Sequence, residues 1–257
     1  HTMMKMVNAL YPAYLQILTM ACEQRMFRYT ALLFKLYAFI TYTEVAPFFT
    51  IDNINTFYTI VNKFLQLPVT FSENDDQNKQ CSSLVSIMVG MTGFARHYNT
   101  VKENRKIPTL VHYIENILPQ LVPNILNLFT NKLPPKLAFN ALQFISNCLK
   151  NAKLSQLIAR SFPAFFENII FKQVMLTEGE RRLAQEDPVT FLREEDAMED
   201  YSYNGRAGAK DFINSAMRYR ASTYLPLITS AILPLIPTSP EGMQKEPYII
   251  EDACAIL

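Results

Sequence analysis

His112 and Glu115 stand three residues apart, the spacing that puts two side chains on one helix face, where they could supply two ligands to a metal ion. No third ligand lies near them in the sequence, and a solvated polar face accounts for both. His97 follows Arg96 where a helix is expected to end, a place where the helix dipole alone favours cations. Gly205-Arg-Ala-Gly208 is read as a two-glycine turn ahead of a helix, because a phosphate loop needs more glycine and a preceding strand. Cys22, Cys81, Cys148 and Cys254 are scattered with no C-x-x-C pair, which offers neither a zinc clamp nor a disulfide framework. Reduced thiols in cytosol or nucleus are the expectation. Nucleophile-elbow, Walker and H-E-x-x-H motifs are absent. The expectation is therefore no catalytic residue, no cofactor, no metal, and a protein that is not an enzyme.

Cys254-Ala-Ile-Leu257 has the form of a prenylation box, but Glu251 and Asp252 precede it where a second, basic anchoring signal would stand. We read these residues instead as the start of an amphipathic helix. The stretch from Ala221 to Pro240 is free of charge, yet four prolines interrupt it, so a membrane-spanning helix is not expected there.

One segment concentrates charge. Between residues 178 and 200 nine acids face three arginines, a local charge of −6, whereas Arg96 to Lys172 holds ten Lys/Arg and three Glu. A solvated loop would explain such a run. An acidic surface would also steer basic proteins toward itself. On that reading Glu186, Asp187, Glu194, Glu195, Asp196, Glu199 and Asp200 are the candidate partner-binding residues. Pro188 and Asp187 are expected in the first turn and at the cap of a short helix. Pro188, Phe191 and Arg193 would anchor the insertion, Arg193 through a carboxylate.

The elements that must carry these residues are helical. Hydrophobic residues form 49% of the 257 and charged residues 18%, enough for a large core. A net charge of +1 lacks the basic footprint of a nucleic-acid binder, and six glycines argue against nucleotide-binding loops. Leu110/Val111, Ile114, Ile117/Leu118, Leu121/Val122 and Ile125/Leu126 repeat with the helical period, and Leu154, Leu157/Ile158, Phe162, Phe165/Phe166 and Ile169/Ile170 do the same. From Arg25 to Thr43 apolar residues surround the axis, which predicts the most buried helix of the chain. Ser72 to Gln80 reads as a polar linker between helices. No sustained period-two alternation marks a strand.

A proline recurs in a fixed setting. Pro119 is followed at offsets six and seven by Ile125-Leu126, Pro163 by Ile169-Ile170, and Pro226 by Ile232-Leu233, with Tyr11-Pro12 a looser copy. The 44 residues from Pro119 to Pro163 match the ~40–47-residue period of HEAT-type hairpins. The 63 from Pro163 to Pro226 leave an excess that falls in an acidic insertion, residues 177–203. The fold class predicted is an all-α HEAT-repeat solenoid, a right-handed superhelical stack of antiparallel helix pairs. The pairs are 3–46, 47–99, 105–152, 153–220 and an incomplete 221–257. His1-Thr2-Met3 reads as a vector remnant and the apolar end as a cut inside a helix, so the chain is expected to be the central piece of a longer array.

Gln185-Glu-Asp-Pro-Val-Thr-Phe-Leu-Arg193, then Glu199-Asp200-Tyr201 and Ala209-Lys-Asp-Phe-Ile213, resembles the central motif of the importin-β (karyopherin-β) family. Asp187-Pro188 is most like the seven/eight-type importins. Asn140-Ala-Leu-Gln-Phe-Ile-Ser146 is similar to exportin-2, the second match. Ala184 departs from the importin pattern, which usually has Trp there. The resemblance implies a nuclear transport receptor that carries protein cargo under control of Ran GTPase and shuttles between cytoplasm and nucleus. It also implies that Ran is held mainly by an N-terminal region outside this chain, that basic cargo or Ran could meet the insertion, and that Phe-Gly nucleoporins bind between neighbouring outer helices. No membrane or nucleic-acid partner is expected. Repeat physics alone fits a second reading equally, a HEAT scaffold or regulatory subunit of a kinase or phosphatase complex.

Overall fold

Every regular element in the structure, a computed structural model that describes residues 2–43, 49–68, 75–100, 107–176, 178–193 and 204–235, is helical. Among the described residues there is no strand. The fold is all-α, helix packed on helix in the HEAT-like manner. Contacts divide the chain into two units, residues 1–148 and 149–257.

In the first unit α1 (Thr2–Glu23) and α2 (Phe27–Thr43) pack as a hairpin, and α3 (Ile51–Leu65) and α4 (Asp75–Thr100) follow, α3 beside α1 and α4 beside α2. A third long helix follows as α5 (Pro108–His112), a π-helical turn (Tyr113–Ile117) and α6 (Leu118–Leu128), and α7 (Pro135–Cys148) returns from it. Two layers result: α1, α3 and α5–α6 pack in one, α2, α4 and α7 in the other. Prolines open α5 and α7 at positions whose N–H groups have no helical partner to lose. The π turn sits immediately ahead of Pro119, where the Leu118 N–H reaches back to the Tyr113 carbonyl and absorbs the register change.

Aromatic rings fill the space between the layers. Tyr37 stacks on Phe57 at 3.7 Å between centroids, and Phe34, Phe49, Phe64, Phe94 and Tyr113 meet edge-on around them. Three tyrosine hydroxyls are hydrogen-bonded across the helices: Tyr37 donates to Tyr58, Tyr113 to the Met91 carbonyl and Tyr14 to the Leu33 carbonyl. Close approach of α2 to α4 depends on Gly90, where an added Cβ would lie 3.1 Å from the Tyr37 ring. Arg25 closes the α1–α2 turn with φ 53°, in the left-handed region that glycine normally fills. Met26 N–H bonds the Ala21 carbonyl and Arg25 N–H that of Cys22, which satisfies the end of α1.

Two expectations are corrected here. α2 is not buried on all sides: Ala31, Phe34, Tyr37, Ala38 and Thr41 are covered, but Tyr29, Leu32, Leu36 and Phe39 form an exposed stripe, Phe39 at 75%. Apolar composition marked its capacity for burial; the neighbours present cover only the side toward α1 and α4. The polar stretch at 72–80 is also not all linker, because α4 begins at Asp75. Polar residues there form the outer face of a first helical turn.

In the second unit α8 (Ala152–Arg160) leads through Ser161 into α9 (Phe162–Phe165), a π-helical stretch (Phe166–Phe171) and α10 (Lys172–Val174). α11 (Glu178–Glu186) and α12 (residues 188–193) follow, then α13 (Gly205–Ile232). α13 packs on α8, α9 and α10 through Phe212, Ala216, Tyr224 and Ile228, against Phe162, Phe165 and Phe166. Tyr224 donates to the Ser155 carbonyl at 2.8 Å. The helix kinks at Arg220, six residues before Pro226, and the freed guanidinium donates to the Leu149 and Lys150 carbonyls at 3.0 and 2.9 Å.

Candidate partner-binding insertion

Between α10 and α13 the chain leaves the helix-pair pattern, and a few polar contacts hold this segment. α11 buries none of its residues; Glu178 and Glu180 in its first turn complement the positive end of the helix. Arg181 donates through Nε to the Leu176 carbonyl at 3.1 Å. Arg206, on α13, donates through Nη2 to Glu180 Oε2 at 2.8 Å and to the Met175 carbonyl at 3.2 Å. The pair is largely shielded, with side chains 15% and 23% exposed, so it is worth more than a surface ion pair.

The root of α13 explains the glycines. Asn204 caps the helix by accepting the Ala207 N–H at 2.7 Å, and Gly205 is the first helical residue. A Cβ on Gly205 would collide with the Gln173 side chain, whose Oε1 lies 1.8 Å from that position. Gly205 and Gly208 are both buried. The expected two-glycine turn is therefore corrected: both residues lie inside the helix, and Gly205 packs against the flexible end of the Gln173 side chain.

Asp187 caps α12. Its Oδ1 accepts the Thr190 N–H at 3.0 Å and its Oδ2 the Thr190 hydroxyl at 2.7 Å, with Pro188 first in the helix. These bonds from Thr190 hold the carboxyl below its usual range. Glu186, Asp187 and Pro188 are exposed, Phe191 is half-buried, and Arg193 is exposed with no ion pair among the described residues. Val189 and Leu192, three apart on α12, are also exposed. Glu194, Glu195, Asp196, Glu199 and Asp200 lie outside the described residues. The structure thus brings Asp187, Pro188 and Phe191 together in one capped turn.

Sequence reading missed Arg206 and Glu180. A signal existed: Arg206 occupies the second position of a helix, where the dipole disfavours a cation, so an acidic partner had to be near. The partner itself lies 26 residues away and cannot be found by spacing.

The other candidates are engaged locally. His112 Nε2–H donates to Asn55 Oδ1 at 2.6 Å, and Asn116 donates to its Nδ1 at 3.2 Å. Glu115 is exposed. His97 bonds the Thr41 carbonyl at 2.8 Å. Burial pushes the Cys22 thiol up to about 12 and raises Cys81 and Cys148 as well, which is opposite to what a reactive thiolate needs. Cys254 lies outside the described residues. Among the described residues no cluster of His, Cys, Asp and Glu could hold a metal ion, and no helix is long and apolar enough to cross a membrane.

The chain was compared with protein families, curated proteins and solved structures. No curated protein and no solved structure matches it. The Cse1 family matches residues 8–238, a span that takes in α2 to α13 and the whole insertion. That match selects a transport receptor over a kinase or phosphatase scaffold. The chain belongs to the Cse1 family of importin-β-like nuclear transport receptors.

Proposed function

We propose that this chain belongs to a receptor that binds protein cargo under the control of GTP-bound Ran and shuttles through the nuclear pore. The Cse1 match across the insertion and both its flanking helices is the observation that carries this reading. The five helix pairs drawn from the repeat serve as the stack, and the insertion at 177–203 as its contact for a basic surface of Ran or cargo. Glu186, Asp187, Glu194, Glu195, Asp196, Glu199 and Asp200 supply the charge. Val189 and Leu192 add an apolar contact beside it. Pro188, Phe191 and Arg193 set the helix that presents them. Phe-Gly nucleoporins would dock between helices of one layer.

The full-length receptor tests this in a pull-down with Ran locked in its GTP and GDP forms; equal capture of both forms would exclude the reading. Reversal of charge at Glu194, Glu195 and Asp196 should slow association with Ran or basic cargo and flatten its salt dependence. Unchanged binding at low salt would reduce the insertion to a solvated loop.

Two directions of transport are distinguished by linkage. Asp187-Pro188 favours an importin of the seven/eight type, in which GTP-bound Ran must weaken cargo binding. The Cse1 match favours the exportin-2 type, in which it must strengthen cargo binding. Cargo affinity measured with and without GTP-bound Ran separates them.

A further inference from the structure

Between α3 and α5–α6 lies a groove whose rims are amide side chains. Asn55, Thr59, Asn62 and Gln66 follow one another at helical spacing on α3 and its C-cap, and His112, Asn116, Gln120, Asn124, Asn127 and Asn131 do so on the facing helix and just past its end. Steps of four run ahead of an α-helical face; the wider π turn at Tyr113–Ile117 brings Gln120 back into line. Two rungs cross the groove: His112 to Asn55, and Asn124 Nδ2 to Asn62 Oδ1. A cavity of about 330 Å³ lies between the rungs, floored by Tyr58, Ile117 and Leu121. A second, of about 280 Å³, lies beyond the Asn62–Asn124 rung, beside Leu65, Leu128, Asn127 and Asn131. No ionised side chain lines either cavity among the described residues.

We propose that this groove binds an extended, uncharged peptide segment through its main chain. The Asn62–Asn124 rung spends one acceptor and one donor, and leaves the Asn62 Nδ2 as a donor and the Asn124 Oδ1 as an acceptor. If both amides are turned over, one donor and one acceptor remain. A peptide unit offers the complementary C=O and N–H. Amides one helical turn apart recur at ~5.4 Å and alternate peptide units of an extended chain at ~6.7 Å, so two neighbouring turns, though not a longer run, can meet alternate peptide units. From Ile117 to Asn131 the groove runs ~21 Å, room for about six extended residues. Neutral rims give no electrostatic preference, so the main chain and small side chains entering the two cavities decide what fits. This site does not depend on the Ran reading.

A displayed library of random peptides about six residues long, selected on the intact chain, is the probe. Selected peptides should be close to neutral, and their binding should hardly change between about 50 and about 500 mM salt. Methylation of alternate backbone nitrogens, or Asn62→Ala with Asn124→Ala, should each weaken them about tenfold or more. Asn127→Ala with Asn131→Ala, at two exposed positions, should weaken binding to the second cavity without lowering the melting temperature, which keeps the test valid if the first pair unfolds the chain. Selection of charged peptides with salt-sensitive binding, binding that survives backbone methylation, or no peptide sensitive to either asparagine pair would overturn the proposal.

Discussion

The amide groove and the acidic insertion both present polar side chains to a partner, but they are held by opposite means. The groove rides on helices whose other faces carry Ile54, Phe57, Val61, Leu118, Val122 and Ile125, all buried. The insertion starts from α11, which buries nothing, and depends on Arg206, Arg181 and a helix cap. A surface placed by a packed core moves only when the core unfolds. One placed by a few hydrogen bonds can be released by a single substitution. The contrast suits their readings: main-chain recognition needs fixed spacing, while steering by charge needs only proximity.

The largest effect that would break this comparison comes from the core under the groove. Phe57→Ala removes a ring stacked on Tyr37 and should cost ~3–5 kcal/mol in urea unfolding of residues 1–148. A loss below ~1 kcal/mol would mean the groove is not held by packing.

Alkaline pH probes the same core. Burial raises Tyr37, Tyr58 and Tyr113 and lifts Cys22 from 9.0 to about 12. These groups keep their protons when folded and lose them when unfolded, so the stabilisation is full below pH 9 and disappears as pH climbs toward the folded values. The melting temperature should fall by several degrees between pH 9 and 12, with the tyrosinate absorbance of the buried Tyr37, Tyr58 and Tyr113 appearing only on unfolding. The full tyrosinate absorbance of all thirteen tyrosines, reached in the folded chain near pH 10, would show that the aromatic core is open to water.

Arg206→Ala sharpens the other side. Loss of its bonds to Glu180 and the Met175 carbonyl should cost ~1–2 kcal/mol. Amide exchange across Glu178–Glu186 should speed up while α3 and α6 stay protected. Equal protection in the variant would shift the anchoring to Arg181.

The smallest change goes in the stabilising direction. Arg25→Gly relieves a left-handed residue at the end of α1 and should add ~0.5–1 kcal/mol, read by thermal melting, with partner binding untouched. A loss of stability would assign the Arg25 side chain a packing role against the pocket beside Phe64 and Leu67.

Helical period was legible because each helix buries a face whose apolar residues must repeat every 3.6 positions. The stripes through Leu110 to Leu126 and Leu154 to Ile170 fall in helices, and Asp187-Pro188 opens one as cap chemistry requires. These are local rules, satisfied within a few residues. The burial of α2 was not legible, since an apolar side chain records what it can bury against and not whether a neighbour is there. Nor was the start of α4, where polar residues suit a loop and an outer helical turn equally.

What the residues alone determined is the all-α class, the helical stripes and the capped start of α12 at Asp187-Pro188. Helical period, capping chemistry and charge runs are properties of neighbouring positions. Tertiary structure decided which distant groups meet: Arg206 with Glu180, Gly205 with Gln173, and Asn62 with Asn124. The amides of the groove lie on the polar faces that periodicity assigns to water, and only the packing of α3 beside α6 turns two solvated stripes into one site. Pairing across 26 or 62 residues depends on how helices stack, and no spacing rule encodes that.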